Sequence, residues 1–435
     1  MFAPDRGRKR CAMTLDGDHS AQSIPGNGTY IDDEPHLRRV LTLPLVVLYG
    51  LGVTIGAGIY VLTAGTAARA GVHAPLAFVL AALVMAPSAG SFAELAGRFP
   101  VSAGEAAYVR EGFRSKMLSL LVGLMVVAAG SASAATVSVG SAGYIRELIL
   151  LPNIVLIPII VIAIGAVAAW GILESVTFAA ILTLVEIGGL LLIIGGGFAS
   201  DPEILLRLPE VIPPFDDFAP WIGVGSAGLL AFFAFIGFED LVNVAEEVKR
   251  PERTLPRAIF LTLIISTLAY VLVVSISVLL VRPEDLGASE APLSLVFERT
   301  TGLSPTAITL IAIVATLNGA LINMIMASRV IYGLSRQGSL PARLGRVNRV
   351  THTPLTATLL VVGLILLLAV AFPLEWLAET TSRITLSIFA LVNLALLRLK
   401  LSGSSPDPEK FTVPVWVPVV GFLSCLALLS SDLLS

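Results

Sequence analysis

Two apolar stretches hold the residues best suited to bind a ligand. The first reads Gly52-Val53-Thr54-Ile55-Gly56-Ala57-Gly58-Ile59-Tyr60, and the second Phe232-Phe233-Ala234-Phe235-Ile236-Gly237-Phe238-Glu239-Asp240. Glycine in a helix interior costs about 1 kcal/mol relative to alanine and reaches backbone angles that other residues avoid. Gly56 and Gly58, one small residue apart, therefore predict local unwinding. Main-chain N–H groups freed in an apolar medium are costly unless something accepts their hydrogen bonds, and an anion beside a helix N-terminus does so. On the first stretch alone, close packing of small residues explains the glycines equally well. The second stretch shifts that balance, because Gly237 again interrupts an apolar run, now with aromatics and two acids beside it. Such a pair could hold a small anionic ligand on main-chain groups, with the aromatics as a lid.

A few polar side chains sit in other apolar runs. Glu186 lies in Leu184-Val185-Glu186-Ile187-Gly188-Gly189. A charge at a bilayer centre costs roughly 2.5–3.5 kcal/mol even on lenient scales, which makes Glu186 a candidate for proton exchange. A structural carboxyl bonded to a neighbouring helix carbonyl is the plainer reading. Asn318 and Asn323 either bridge to the first helix or hold helices together at about 1 kcal/mol each. Glu239 either relays protons or fixes the interrupted helix. Glu94 and Arg98 are one turn apart, an arrangement worth a few tenths of a kcal/mol.

The elements that must position these residues are read from the solvent they imply. Of 435 residues, 56% are hydrophobic and 14% charged, against about 25% charged in soluble domains; mean hydropathy is +0.89. Runs of about 20 apolar residues, enough to cross a bilayer, fall near 40–68, 74–97, 116–143, 152–170, 175–198, 220–245, 258–281, 303–333, 355–372, 375–397 and 413–431. An all-α integral membrane protein with about eleven helices follows. With the N-terminus inside, alternation leaves only Arg69, Arg146, Arg207, Arg282, Arg299 and Arg383 of the 28 Lys and Arg outside, as the positive-inside rule requires. Residues 1–39 are polar and lack the apolar core of a signal peptide, so they are expected to be a disordered cytoplasmic tail. The segment 199–219 is too acidic and proline-rich to span, and is expected to cap the outer face. Cys11 and Cys425 form no framework, and the four histidines are scattered, so neither a metal nor another cofactor is expected. The formal net charge of -3 favours no nucleic acid partner.

The chain resembles the amino acid–polyamine–organocation (APC) superfamily of transporters. The resemblance rests on Gly56 to Tyr60, on Phe92 to Pro100 followed by Ser102 to Glu105, and on Phe233 to Glu239 leading to Glu246 to Pro251. It continues in Asn318 to Arg329 and in Arg336 to Pro341. The wording around Gly56 and Tyr60 is closest to the cationic amino acid transporter branch. The resemblance implies a LeuT-like bundle of two inverted five-helix repeats, about 40–198 and 220–397, plus an extra helix at about 413–431. Helices one and six would be discontinuous. It implies a substrate carboxylate on the N–H groups around Gly56, Ala57 and Gly58. The α-amine would meet carbonyls near Thr54, Ile55, Phe233, Ala234 and Ile236 beside Gly237, with Phe233 as an aromatic gate. Many members have twelve spans, so the eleven found here depart at the C-terminus.

Glu186 is a second departure, since several proton-coupled relatives carry lysine at the similar position. A carboxyl has the opposite charge but also exchanges a proton. Glu186, Glu239 and Asn318 are thus the candidate coupling and gating residues. The expected function is a secondary active transporter of amino acids in the cell membrane, proton-coupled or exchanging. An amino-acid sensor without net flux stays open. An embedded enzyme is disfavoured by dispersed polar residues and by the lack of a His-Glu-x-x-His motif or phosphate-binding loop.

Overall fold

The computed structural model describes residues 39–100, 104–170, 176–348, 351, 353–403 and 410–431. Apart from Arg39, the expected tail lies outside them.

Lipid offers the main chain no hydrogen-bond partners, so the apolar runs fold as helices. α1 covers Leu43–Ala70, a 3-10 turn covers Gly71–His73, and α2 covers Ala74–Arg98. The short α3, Gly104–Phe113, leads to α4, Lys116–Arg146. α5 is Asn153–Trp170 and α6 is Val176–Ser200. A 3-10 segment at Ile204–Val211 crosses to α7, Ala219–Phe233. A second 3-10 segment, Phe238–Glu247, continues that span and is followed by α8, Pro251–Leu280. The short α9, Pro283–Gly287, and α10, Pro292–Thr301, precede α11, Thr306–Arg336. α12 is Leu355–Ala371, α13 is Leu374–Leu401 and α14 is Trp416–Ser431. Prolines stand in the first turns of α1, α2, α7 and α8, where a missing N–H leaves no helical bond unmade. Thr63, Ser138 and Thr316 return their hydroxyls to carbonyls four residues back, so these polar groups travel through apolar surroundings satisfied.

Among the described residues, eight stretches are long and apolar enough to cross a membrane. One of them, Leu43–Arg98, holds the first two expected spans, and the shorter apolar helices Leu355–Ala371 and Trp416–Ser430 stand at the ninth and eleventh. The expected polar cap contains the 3-10 segment at Ile204–Val211, where Arg207 bonds to Glu210 at 3.0 Å and to the Leu279 carbonyl at 3.2 Å.

The first span departs from the expected break. α1 is helical from Leu43 to Ala70, through Gly56, Ala57 and Gly58. Its glycines are used for close approach. A Cβ on Gly58 would overlap Ala234, and one on Gly52 would overlap Thr183. At Gly56 it would lie 3.2 Å from a Glu186 carboxyl oxygen and 3.3 Å from the Ala315 carbonyl. Packing of small residues therefore explains this stretch, and the continuous helix keeps its N–H groups paired where lipid gives no alternative. The sixth span is interrupted: α7 stops at Phe233, and turns lead to Gly237 at φ +124°.

Glu94 does more than its sequence spacing suggests. It is 0% exposed and pairs with Arg98. It also accepts from Lys400 at 2.8 Å and from the Val413 N–H at 2.7 Å. One carboxylate thereby ties the end of α2 to the end of α13 and to the strap leading into α14.

Candidate functional site

The site forms where α1 crosses the interruption of the sixth span. Gly237 adopts a conformation that L side chains rarely reach, and a Cβ there would stand 2.7 Å from Val53 Cγ1 and 3.0 Å from the Val53 carbonyl carbon. The absent side chains of Gly58 and Gly237 thus bring the two spans into contact on both sides of Thr54–Gly56. Beyond the break the Gly237 N–H donates to Glu239 Oε2 at 2.8 Å. Glu239 therefore caps the turn that releases its own helix.

Three tyrosines cross-link this region. The Tyr270 hydroxyl on α8 lies 2.7 Å from the Thr54 carbonyl and 2.8 Å from the Ala234 carbonyl. Tyr60 donates to the Glu186 carbonyl at 2.8 Å, and Tyr144 to the Tyr60 carbonyl at 2.6 Å. A buried tyrosine seeks a partner for its hydroxyl. Single tyrosines in apolar runs were the sequence signal for these links, and the spacing alone did not identify their partners.

Glu186 lies behind α1 and is 0% exposed. Asn318 Nδ2 on α11 donates to its Oε1 at 3.2 Å. Its Oε2 faces Gly56 and has no hydrogen-bond partner among the described residues. The Thr54 hydroxyl is also buried without a partner there. The structure thus gathers Thr54, Gly56, Gly58, Ala234, Gly237, Glu186 and Asn318 at one crossing. Ile55 is buried beside them, and Ala57 continues the helix. Phe233 is 2% exposed, at the end of α7, and its carbonyl accepts from the Ile236 N–H.

Glu239 faces a different space. A small cleft adjoins the break and is lined by Glu105, Ile236, Glu239, Asp240, Asn323 and Phe389, among others. Ala129, Gly130 and Ser133, small residues of α4, also line it. Burial pushes the Glu105 carboxyl up to about 7; its own N–H pulls the other way, and the nearby Asp240 adds to the rise. At the far end of α1, Arg69 pairs with Glu379 of α13 and donates to the Ser226 carbonyl of α7 at 2.9 Å. Arg383 holds the other Glu379 oxygen at 3.0 Å. Nothing in the sequence linked Arg69 to Glu379, because their meeting is purely tertiary.

Among the described residues the fold is an all-helical bundle whose first span crosses a main-chain break, with a buried carboxyl behind it. The amino acid permease model matches residues 46–434, and the chain belongs to that family. It is 31% identical to the branched-chain amino acid permease BcaP of Bacillus subtilis, over 91% of this chain and 88% of that one. It is likewise 31% identical to the vacuolar cationic amino acid transporter 4 of Arabidopsis thaliana, over 85% of this chain and 64% of the plant protein. It is 26% identical to the methylthioribose transporter of Bacillus subtilis, over 89% of this chain and 86% of that one.

Proposed function

We propose that this protein is a secondary active transporter that carries amino acids across the cell membrane by alternating access, with its N-terminus in the cytoplasm. The observation that carries the reading is the crossing of α1 and the interrupted sixth span, where the Thr54 and Ala234 carbonyls converge within hydrogen-bond reach of one hydroxyl. Those carbonyls suit an α-amine. The carboxylate is received at Gly56, Ala57 and Gly58. Their N–H groups are paired within α1, so local opening of α1 at its glycines belongs to the binding step. Phe233, Ile236 and Gly237 close the substrate space from the other span. Two five-helix repeats, related by inversion, would supply the rocking halves.

Coupling is assigned to Glu186. A carboxyl exchanges a proton, and this one touches the moving span at Gly56 and the static partner Asn318. The orphaned Oε2 is the acceptor through which protonation would alter the contact with α1. Glu239 gates, because it holds the break closed on Gly237.

Two of the relatives are named for amino acids with different side chains, so recognition of the amino acid backbone is the element carried over from them and the side chain is decided elsewhere. A cationic side chain is the reading favoured by the cleft, since Glu105, Glu239 and Asp240 all line it. Counterflow in proteoliposomes tests both. Labelled amino acid should accumulate against unlabelled amino acid inside, and arginine should compete better than leucine. Binding without counterflow would make the protein a sensor, and stronger competition by leucine would remove the cationic reading.

A further inference from the structure

The latch at the crossing has a mismatch between donors and acceptors. Tyr270 is buried, and its ring is wedged by Phe78 at 5.8 Å and Phe235 at 5.0 Å between centroids. Its hydroxyl meets two carbonyls, Thr54 at 2.7 Å and Ala234 at 2.8 Å. A phenol has one proton to donate. Beyond the helical bond that the Thr54 carbonyl keeps within α1, the two convergent acceptors share this single proton. An ammonium brings three donors and a positive charge to the same oxygens. The two carbonyls also belong to separate spans, α1 and the interrupted sixth, so whatever bonds both of them joins those spans.

We propose that Tyr270 is a positioning residue whose hydroxyl competes with the ligand's ammonium for the Thr54 and Ala234 carbonyls. Binding then exchanges one latch between the two spans for another, and ammonium-bearing solutes are favoured because one ammonium can donate to both carbonyls at once. The proposal rests on the amino-acid reading given above and names the residue that enforces it.

Tyr270→Phe keeps the ring between Phe78 and Phe235 and removes only the competitor. The probes are whichever of the twenty amino acids gives the largest thermal shift with unaltered protein, and the α-hydroxy acid with the same side chain. Titration calorimetry should show the amino acid binding the variant roughly three- to tenfold more tightly, the worth of one hydrogen bond. The α-hydroxy acid should gain less. The melting temperature of the variant should fall without amino acid and recover at saturation, whereas a purely structural tyrosine would lower it equally in both conditions. Weaker amino acid binding, or equal change for both probes, overturns the proposal. If none of the twenty binds the unaltered protein, the amino-acid reading fails and takes this proposal with it. If one binds and Tyr270→Phe leaves its affinity unchanged, only the competition fails. Should the variant not fold, fluorotyrosine at position 270 reports the hydroxyl directly. Its fluorine resonance should move on saturation with the amino acid, and an unmoved resonance overturns the proposal.

Discussion

At the scale of the residue, two buried carboxyls have separable tasks. Glu186 touches α1 at Gly56 and accepts from Asn318. Glu186→Gln keeps the shape and the acceptor but cannot exchange a proton. Uptake by the variant should lose its dependence on an imposed pH gradient, while amino acid affinity changes less than about threefold, below the worth of a typical hydrogen bond. Gradient-driven uptake that survives the substitution would remove Glu186 from coupling. Glu105 lies between the second and third spans, and besides lining the cleft it makes stability depend on pH. Its carboxyl is raised from 4.5 to about 7, chiefly by burial. Below pH 4.5 it is protonated in both folded and unfolded chains, and it contributes no pH dependence. Between 4.5 and about 7 the folded protein keeps the proton that the unfolded chain releases, so stability falls as pH rises. Above about 7 the dependence ends. Glu105→Gln should flatten the melting temperature across that window, and an unchanged slope would place the titrating group elsewhere.

At the scale of the element, glycine means different things in the two central spans. Gly237 needs its φ of +124° and also abuts Val53, whereas Gly338 has φ +76° with open space around it. An added Cβ should cost about 1–2 kcal/mol of backbone strain at Gly338, and at least that at Gly237, whose φ lies further from the region that L residues reach. Only Gly237→Ala should also lose transport, because only there does the methyl push α1 off the break. Melting curves and counterflow of the two variants check this, and parallel loss of transport in both would refute the distinction. The same contrast explains what was legible from residues alone. The spans were legible because each needs about 20 apolar residues. The interruption at Gly237 was legible because aromatics and acids flank it. The continuity of α1 was not, since a Gly-Ala-Gly run is written the same way for unwinding and for close packing. Glu186, conspicuous by its cost in lipid, was found as a position without its partners. The three tyrosine latches and the triple use of Glu94 depend on which helices become neighbours, which no local pattern encodes. Lys400→Met should show this last point, costing about 3–5 kcal/mol by stranding part of a buried charge cluster, as read by chemical unfolding of α13 and α14.

At the scale of the whole molecule, the two ends of the bundle are unlike. The cleft lies toward the end that carries Arg98, Lys116 and Arg336, while the other end is bound shut by Arg69, Glu379, Arg383 and the Ser226 carbonyl. That clamp joins α1, α7 and α13, one helix from the first five spans and two from the second five. The alternating access proposed above requires it to part when the cleft closes. Its side chains are partly exposed, Arg69 at 31% and Glu379 at 12%, so its worth is on the order of 1 kcal/mol. Removing that much shifts a closed-to-open ratio about fivefold. Leu230 is 0% exposed and packs on Gly65, one turn below Ser226, so its side chain is reached from outside only when the clamp opens. In a chain with Cys11 and Cys425 replaced by serine, Leu230→Cys should react with a membrane-impermeant thiol reagent about fivefold faster once Glu379→Gln is added. Arg69→Gln should accelerate labelling at least as much, since it also removes the bond to the Ser226 carbonyl, and the double substitution should add little to Arg69→Gln, because both changes remove the one shared ion pair. Labelling rates that stay constant while transport falls would instead make the cluster a static support for α13, and the opening of this end would have to be sought in other contacts.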